Sequence, residues 1–144
     1  MKRYPLLLAL LILSLSTPAS LRAELVAVAH PSAKITQLSR SDLINIFMGR
    51  YRKLPSGVAA LPVDLGPLRE RFYRQLVNKD LAEINSYWAR LVFSGQASPP
   101  LQIAEEAEML AYLRRNPGAI GFIDRANVPE DMVVVLAFPD RPPQ

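Results

Sequence analysis

Few side chains in this sequence could do chemistry, and they narrow the choices quickly. There is one histidine, His30, and no cysteine in 144 residues. Without thiols, the chain has no disulfides, no thiolate nucleophile and no thiolate metal site. His30 stands between an apolar run and Pro31, where a histidine serves as a hydrogen-bonding strand-end residue more often than as a general base. No Gly-x-Ser-x-Gly elbow is present. A single histidine among scattered carboxylates lacks metal-ligand spacing, so neither a metal nor a cofactor is expected. Glu105, Glu106 and Glu108 cluster at the start of a helical pattern, and the helix dipole accounts for acids there. An enzyme pairing Asp64 with a hydroxyl is the one catalytic reading left, and no motif supports it. The expectation is a non-catalytic protein.

Anion chemistry has a better candidate in Pro62-Val63-Asp64-Leu65-Gly66-Pro67-Leu68-Arg69. An apolar strand pattern runs into a glycine turn, and the turn into a helix start carrying a cation. Free backbone N–H groups at a helix start attract anions. An arginine there is mildly disfavoured, because the helix N-terminus is already partly positive. A bound oxyanion would relieve that conflict and accept hydrogen bonds from Arg69. The candidate ligand-binding residues are therefore Asp64, Gly66, Leu68 and Arg69. The competing account pairs Arg69 with Asp64 or solvent and treats Glu70 with Arg74 as an ordinary helical pair. Arg50, Arg52 and Lys53 form a second positive spot around Tyr51, readable as a solvated loop, the rim of an anion site, or a docking patch.

The elements that must position these residues follow from periodicity and punctuation. Leu25 to Ala29 is a short buried-strand pattern. Ser39 with Asp42 three residues on resembles a capping box, opening a helix whose face is Leu43, Ile46 and Phe47, with Gly49 to stop it. Val58 to Val63 reads as a second strand. Gly66-Pro67 begins a second helix, with Leu68, Phe72 and Leu76 inward. A third helix starts near Asp80, with Leu81, Ile84, Trp88, Leu91 and Val92 as its apolar stripe and Trp88 expected in the core. Pro99-Pro100 then forces an extended loop. A last helix covers about Glu105 to Arg115, and Ala119 to Ile123 and Met132 to Ala137 read as strands. The order β-α-β-α-α-α-β-β points to an α/β fold, a mixed sheet flanked by helices.

The ends of the chain suggest where it works. Met1-Lys2-Arg3, the apolar run Leu6 to Leu15 and the small residues before Leu21-Arg22-Ala23 have the layout of a secretory signal peptide. The run is shorter than the roughly 20 residues needed to span a bilayer. Cleavage is expected after Ala23, with Ala19 as the alternative. The expected organisation is a signal peptide over 1–23, one domain over 24–138 and a flexible tail over 139–144, with no membrane span after cleavage and a periplasmic location. Three of the 17 basic residues (Lys2, Arg3, Arg22) precede the expected cleavage point, leaving 14 against 13 acids, a charge of +1. Bases and acids are interspersed, which is not a nucleic-acid footprint.

Several separated strings carry a family resemblance. They are Leu43-Ile44-Asn45-Ile46-Phe47-Met48-Gly49-Arg50, Leu61-Pro62-Val63-Asp64, Leu68-Arg69-Glu70-Arg71-Phe72, Tyr87-Trp88-Ala89-Arg90-Leu91-Val92-Phe93-Ser94-Gly95, Pro99-Pro100 and Pro117-Gly118-Ala119-Ile120-Gly121-Phe122. In this order and spacing the chain resembles short, single-domain relatives of the phosphate-binding proteins of bacterial ABC transporters, in the periplasmic-binding-protein-like superfamily. The resemblance implies a single lobe of that fold and a small oxyanion, such as phosphate, as ligand. In full-length members the ligand lies between two lobes, and this chain corresponds to little more than the second. Arg69 falls on a motif position of the family. The serine favoured before that arginine is replaced by Gly66-Pro67-Leu68, and the glycine-rich, hydroxyl-bearing loop that opens the full-length proteins has no counterpart. Each charge-assisted hydrogen bond contributes about 1.5–3 kcal/mol, so losing several implies weaker binding by orders of magnitude. The alternative function is an interaction or signalling module whose uncovered lobe surface docks an envelope protein or a second copy of the chain.

Overall fold

The computed structural model describes residues 24–138; the expected signal peptide and tail lie outside the described residues. Five strands and four α-helices follow in the order β1 (Leu25–Ala29), α1 (Arg40–Phe47), β2 (Leu61–Leu65), α2 (Arg69–Val77), α3 (Leu81–Phe93), β3 (Leu101–Ile103), α4 (Glu106–Arg115), β4 (Ala119–Asp124) and β5 (Val133–Phe138). The sheet order is β3-β2-β4-β1-β5. β2 is parallel to β3 and β4, while β1 is antiparallel to both β4 and β5. Strand β1 therefore runs against the other four. All five of its residues are buried, as its unbroken apolar sequence requires.

The helix starts form where the sequence places caps. Ser39 and Asp42 make the reciprocal capping box of α1, and Asp80 accepts a hydrogen bond from the Glu83 N–H to cap α3. Helix α4 carries acids in its first turn and Arg114 and Arg115 in its last, in accord with its dipole. Phe72 of α2 is the hub of the core: its ring stacks on Phe122 of β4 at 3.8 Å and meets Phe47 of α1 edge-on at 4.7 Å and Phe138 of β5 at 5.9 Å. One residue thus ties two helices to two strands.

Four details differ from the expectation, the first being that Gly66–Leu68 form a 3-10 turn and α2 begins only at Arg69. Strand β3 replaces part of the expected loop after Pro99-Pro100. At three residues, Leu-Gln-Ile is too short to show a period, and only pairing with β2 makes it a strand. Strand β2 begins at Leu61 instead of Val58, because Ala59 pairs back onto Lys53 and the Leu61 N–H donates to the Gly118 carbonyl. The approach at Gly118 is so close that a Cβ there would lie 1.6 Å from the Ala59 carbonyl oxygen. Val92, expected on the buried stripe of α3, is exposed, although Ile84 and Trp88 are buried.

Candidate functional site

The Gly66–Arg69 turn stands where β2 ends, beside the end of its parallel neighbour β3. Gly66 and Pro67 are exposed, Leu68 is half-buried, and these three form a single 3-10 turn before α2 proper begins at Arg69. Pro67 contributes no N–H. A Cβ on Gly66 would meet the Ile103 carbonyl oxygen at 3.7 Å, so the turn rests on the junction between β3 and α4.

Asp64 is the one buried charged residue among those described, at 1% exposure. Its two oxygens hold two donors: Arg69 Nε gives a hydrogen bond to Oδ2 at 2.9 Å, and the Tyr73 hydroxyl gives one to Oδ1 at 2.8 Å. Arg69 Nη2 donates in turn to Asn85 Oδ1 on α3 at 3.1 Å, and its guanidinium lies 5.6 Å from the centre of the Tyr73 ring. The Arg69 side chain is only 11% exposed. Burial pushes the Asp64 carboxyl above its ordinary range, against the opposing pull of Tyr73 and Arg69. The same burial, with the Asp64 charge next to it, pushes the Tyr73 hydroxyl up.

Sequence reasoning placed Asp64 and Arg69 together and left open whether Arg69 meets an anion or Asp64; the structure shows it on Asp64. Tyr73 and Asn85 were not anticipated. A signal for Tyr73 was present: a carboxylate in the apolar stretch Val63-Asp64-Leu65 needs donors for both oxygens when buried, and Tyr73 follows Arg69 by one helical turn.

The surrounding charges are balanced. Arg71 pairs with Asp124 at the end of β4 at 2.9 Å, and Arg125 pairs with Glu24 at 2.5 Å. Glu106 and Glu108 occupy the first turn of α4, behind the end of β3. The turn therefore does not lie in a strongly positive field.

Arg50, Arg52 and Lys53 do not rim this turn. They precede the start of β2, because the Ala60 N–H donates to the Arg52 carbonyl, and the Gly66 turn lies at the opposite end of that strand. Arg52 instead lines an open cleft of about 420 Å³, with Tyr51, Val92, Gln96 and Ser98. His30 Nδ1 contacts the Ser32 hydroxyl at 2.8 Å, a local edge contact.

No protein-family model matches the sequence. No curated protein matches it either. Solved structures do match the coordinates. An ABC-type phosphate transport receptor from Vibrio cholerae superposes with a TM-score of 0.61 at 16% identity, over 78% of this chain and 45% of that one. A phosphate ABC transporter substrate-binding protein with bound phosphate from Clostridium perfringens gives 0.60 at 12% identity, over 78% and 44%. The fold is one lobe of the periplasmic-binding-protein type. The chain spans less than half the length of these two proteins. In open α/β sheets, ligands sit in the crevice outside the carboxyl ends of the strands, where neighbouring connections diverge. In this sheet the connections leaving β2 and β4 run to opposite sides, toward β3 and toward β5, and the end of β2 at that divergence carries the Asp64–Arg69 cluster. No helix among the described residues is long and apolar enough to cross a membrane.

Proposed function

We propose that the chain works in the periplasm as a non-catalytic, single-lobe binding protein of the phosphate-transporter type, contacting a small oxyanion at the Gly66–Arg69 turn. One observation carries this reading: Asp64 and Asn85 fix Arg69 through Nε and Nη2, which leaves the Nη1 edge of a rigidly held guanidinium on the first residue after the exposed turn. The ligand would meet that edge and the backbone amides of Gly66 and Leu68, while Asp64 acts as the residue that positions Arg69. Because Asp64 also neutralises Arg69, and no hydroxyl replaces the family's serine, binding is weak. A net gain of about 4 kcal/mol corresponds to millimolar affinity.

Calorimetric titration with phosphate and sulfate tests the proposal, in the native protein and in Asp64→Asn. The asparagine keeps an oxygen for Arg69 and removes the competing negative charge, so it should tighten oxyanion binding several-fold. Absence of heat in both proteins at roughly 10 mM anion, with unchanged melting temperatures, would remove direct binding. A second reading, an interaction module for an envelope protein or another copy of the chain, is favoured by Phe93, which closes α3 at 96% exposure.

A further inference from the structure

The cleft before β2 differs in charge from every ion-paired part of the surface. Arg52 lines it and no acid does, with Arg50 and Lys53 close to Arg52 in the same loop; Arg90 lines the grooves next to it, one of them together with Glu83. All four cations are exposed. Elsewhere Arg69, Arg71, Arg114 and Arg125 each hold a carboxylate, while Lys34, Arg40, Arg74, Lys79 and Arg115 are spread over the surface without an ion pair among the described residues. Around the cleft, Arg50 reaches only the Asn45 side-chain oxygen and Arg52 only the Gln96 carbonyl, each at 3.3 Å. Neither Lys53 nor Arg90 has an ion pair among the described residues.

Apolar surface lies within this charged frame. Val92 is 53% exposed and lines the cleft, Phe93 follows it at 96%, and Tyr51 stands opposite at 48%. A shallow second groove, lined by Tyr87, Arg90 and Leu91, joins the cleft through Gln96, which borders both. Phe93 lines neither groove but follows the cleft residue Val92 at the end of α3, and a large aromatic side chain left in water is the pattern of an interface anchor.

We propose that this face docks an acidic, apolar-bearing extended segment of another protein. Its carboxylates would neutralise the four unpaired cations, one side chain would enter the cleft beside Val92, and Phe93 would be covered. A symmetric second copy fits poorly, because a two-fold contact would set this basic face against itself. A lipid surface would leave the cleft unfilled. The inference deepens the interaction reading and is independent of the oxyanion turn, which lies at the far end of β2.

The test uses the full chain and a twelve-residue peptide alternating Glu and Leu, with a Gln/Leu peptide as its counterpart. Trp88 is the only tryptophan, and it packs on the cleft residue Gly49, where a Cβ would lie 2.7 Å from its ring; its fluorescence reports occupancy. The acidic peptide should bind saturably and at least tenfold more tightly than the Gln/Leu peptide. Arg52→Glu with Arg90→Glu, and separately Phe93→Ser, should each weaken it about tenfold or more at unchanged melting temperature. Equal binding of the two peptides, no binding at roughly millimolar peptide, or full binding by the charge-reversed variant would overturn the proposal. So would Phe93-dependent binding to phosphatidylethanolamine–phosphatidylglycerol vesicles without peptide binding, or a dimer abolished by Phe93→Ser. Loss of phosphate binding alone would not bear on it, since Asp64 and Arg69 are untouched.

Discussion

Replacing Asp64 by alanine should be among the most damaging single changes in the domain. The substitution strips the Arg69 guanidinium of its counter-ion where 11% of that side chain reaches solvent, and it leaves the buried Tyr73 hydroxyl without its acceptor. Removing one partner of a buried ion pair costs about 3–5 kcal/mol, and an orphaned buried hydroxyl about 1–3 kcal/mol. Relief from burying the carboxylate offsets part of this. A net loss of about 3–5 kcal/mol is a large share of the total for a domain of this size. With an unfolding entropy of about 2.1 cal/mol/K per residue, each kcal/mol moves the midpoint of about 115 residues by roughly 4 °C, so the expected drop is about 12–20 °C. Circular dichroism melts measure it directly. The double variant Asp64→Leu with Arg69→Met should recover part of the loss, because apolar groups can replace a buried pair. A single-variant loss below about 1 kcal/mol, or a double variant worse than the single, would refute the claim that the cluster is a buried, coupled unit.

Acidification gives an independent check on Asp64. Burial raises its folded-state pKa above the ordinary value of 3.8, so folding disfavours the charged form, and this penalty vanishes as pH falls through the folded pKa toward 3.8. Relative to Asp64→Asn, the native protein should therefore gain stability on acidification, as read from urea midpoints at several pH values. The opposite trend would mean that the Arg69 and Tyr73 contacts outweigh burial. Phe72→Ala should cost about 3–5 kcal/mol in chemical denaturation, since it removes the ring joining Phe47, Phe122 and Phe138; a loss under about 1 kcal/mol would contradict its central place. Gly118→Ala should destabilise far beyond the usual cost of alanine at a tolerant site, because the Ala59 carbonyl occupies the space. A neutral melting temperature would sink that expectation.

Much of the fold was legible because local and global signals agree. Ser39 and Asp80 cap the helices they precede, and the apolar runs at Leu25 and Ala119 are strands. The misses are long-range in origin. Leu101–Ile103 is a strand only through its partner β2, and the shift of β2 depends on Gly118, far along the chain. For the site, the Asp64–Arg69 contact was readable from a five-residue separation, whereas Asn85 arrives from another helix and leaves no mark in nearby sequence. The separation of the Arg50–Lys53 loop from the turn followed from strand direction, which composition does not encode. Val92 misled because its spacing suits the stripe of α3, but its place at the last turn carries it beyond the neighbouring elements.

The position of β1 has a consequence for how the molecule comes into being. Its hydrogen-bonding neighbours are the last two strands, with Leu25 opposite both Asp124 and Phe138. A ribosome delivers these partners roughly a hundred residues after β1 itself, so the central part of the sheet cannot close on a growing chain. Until β4 emerges, the fully buried segment Leu25–Ala29 has no edge to join, and its second edge is covered only when β5 follows. Closure of the middle of the sheet is thereby postponed until β4 has been made, and contacts of such wide sequence separation make that step slow.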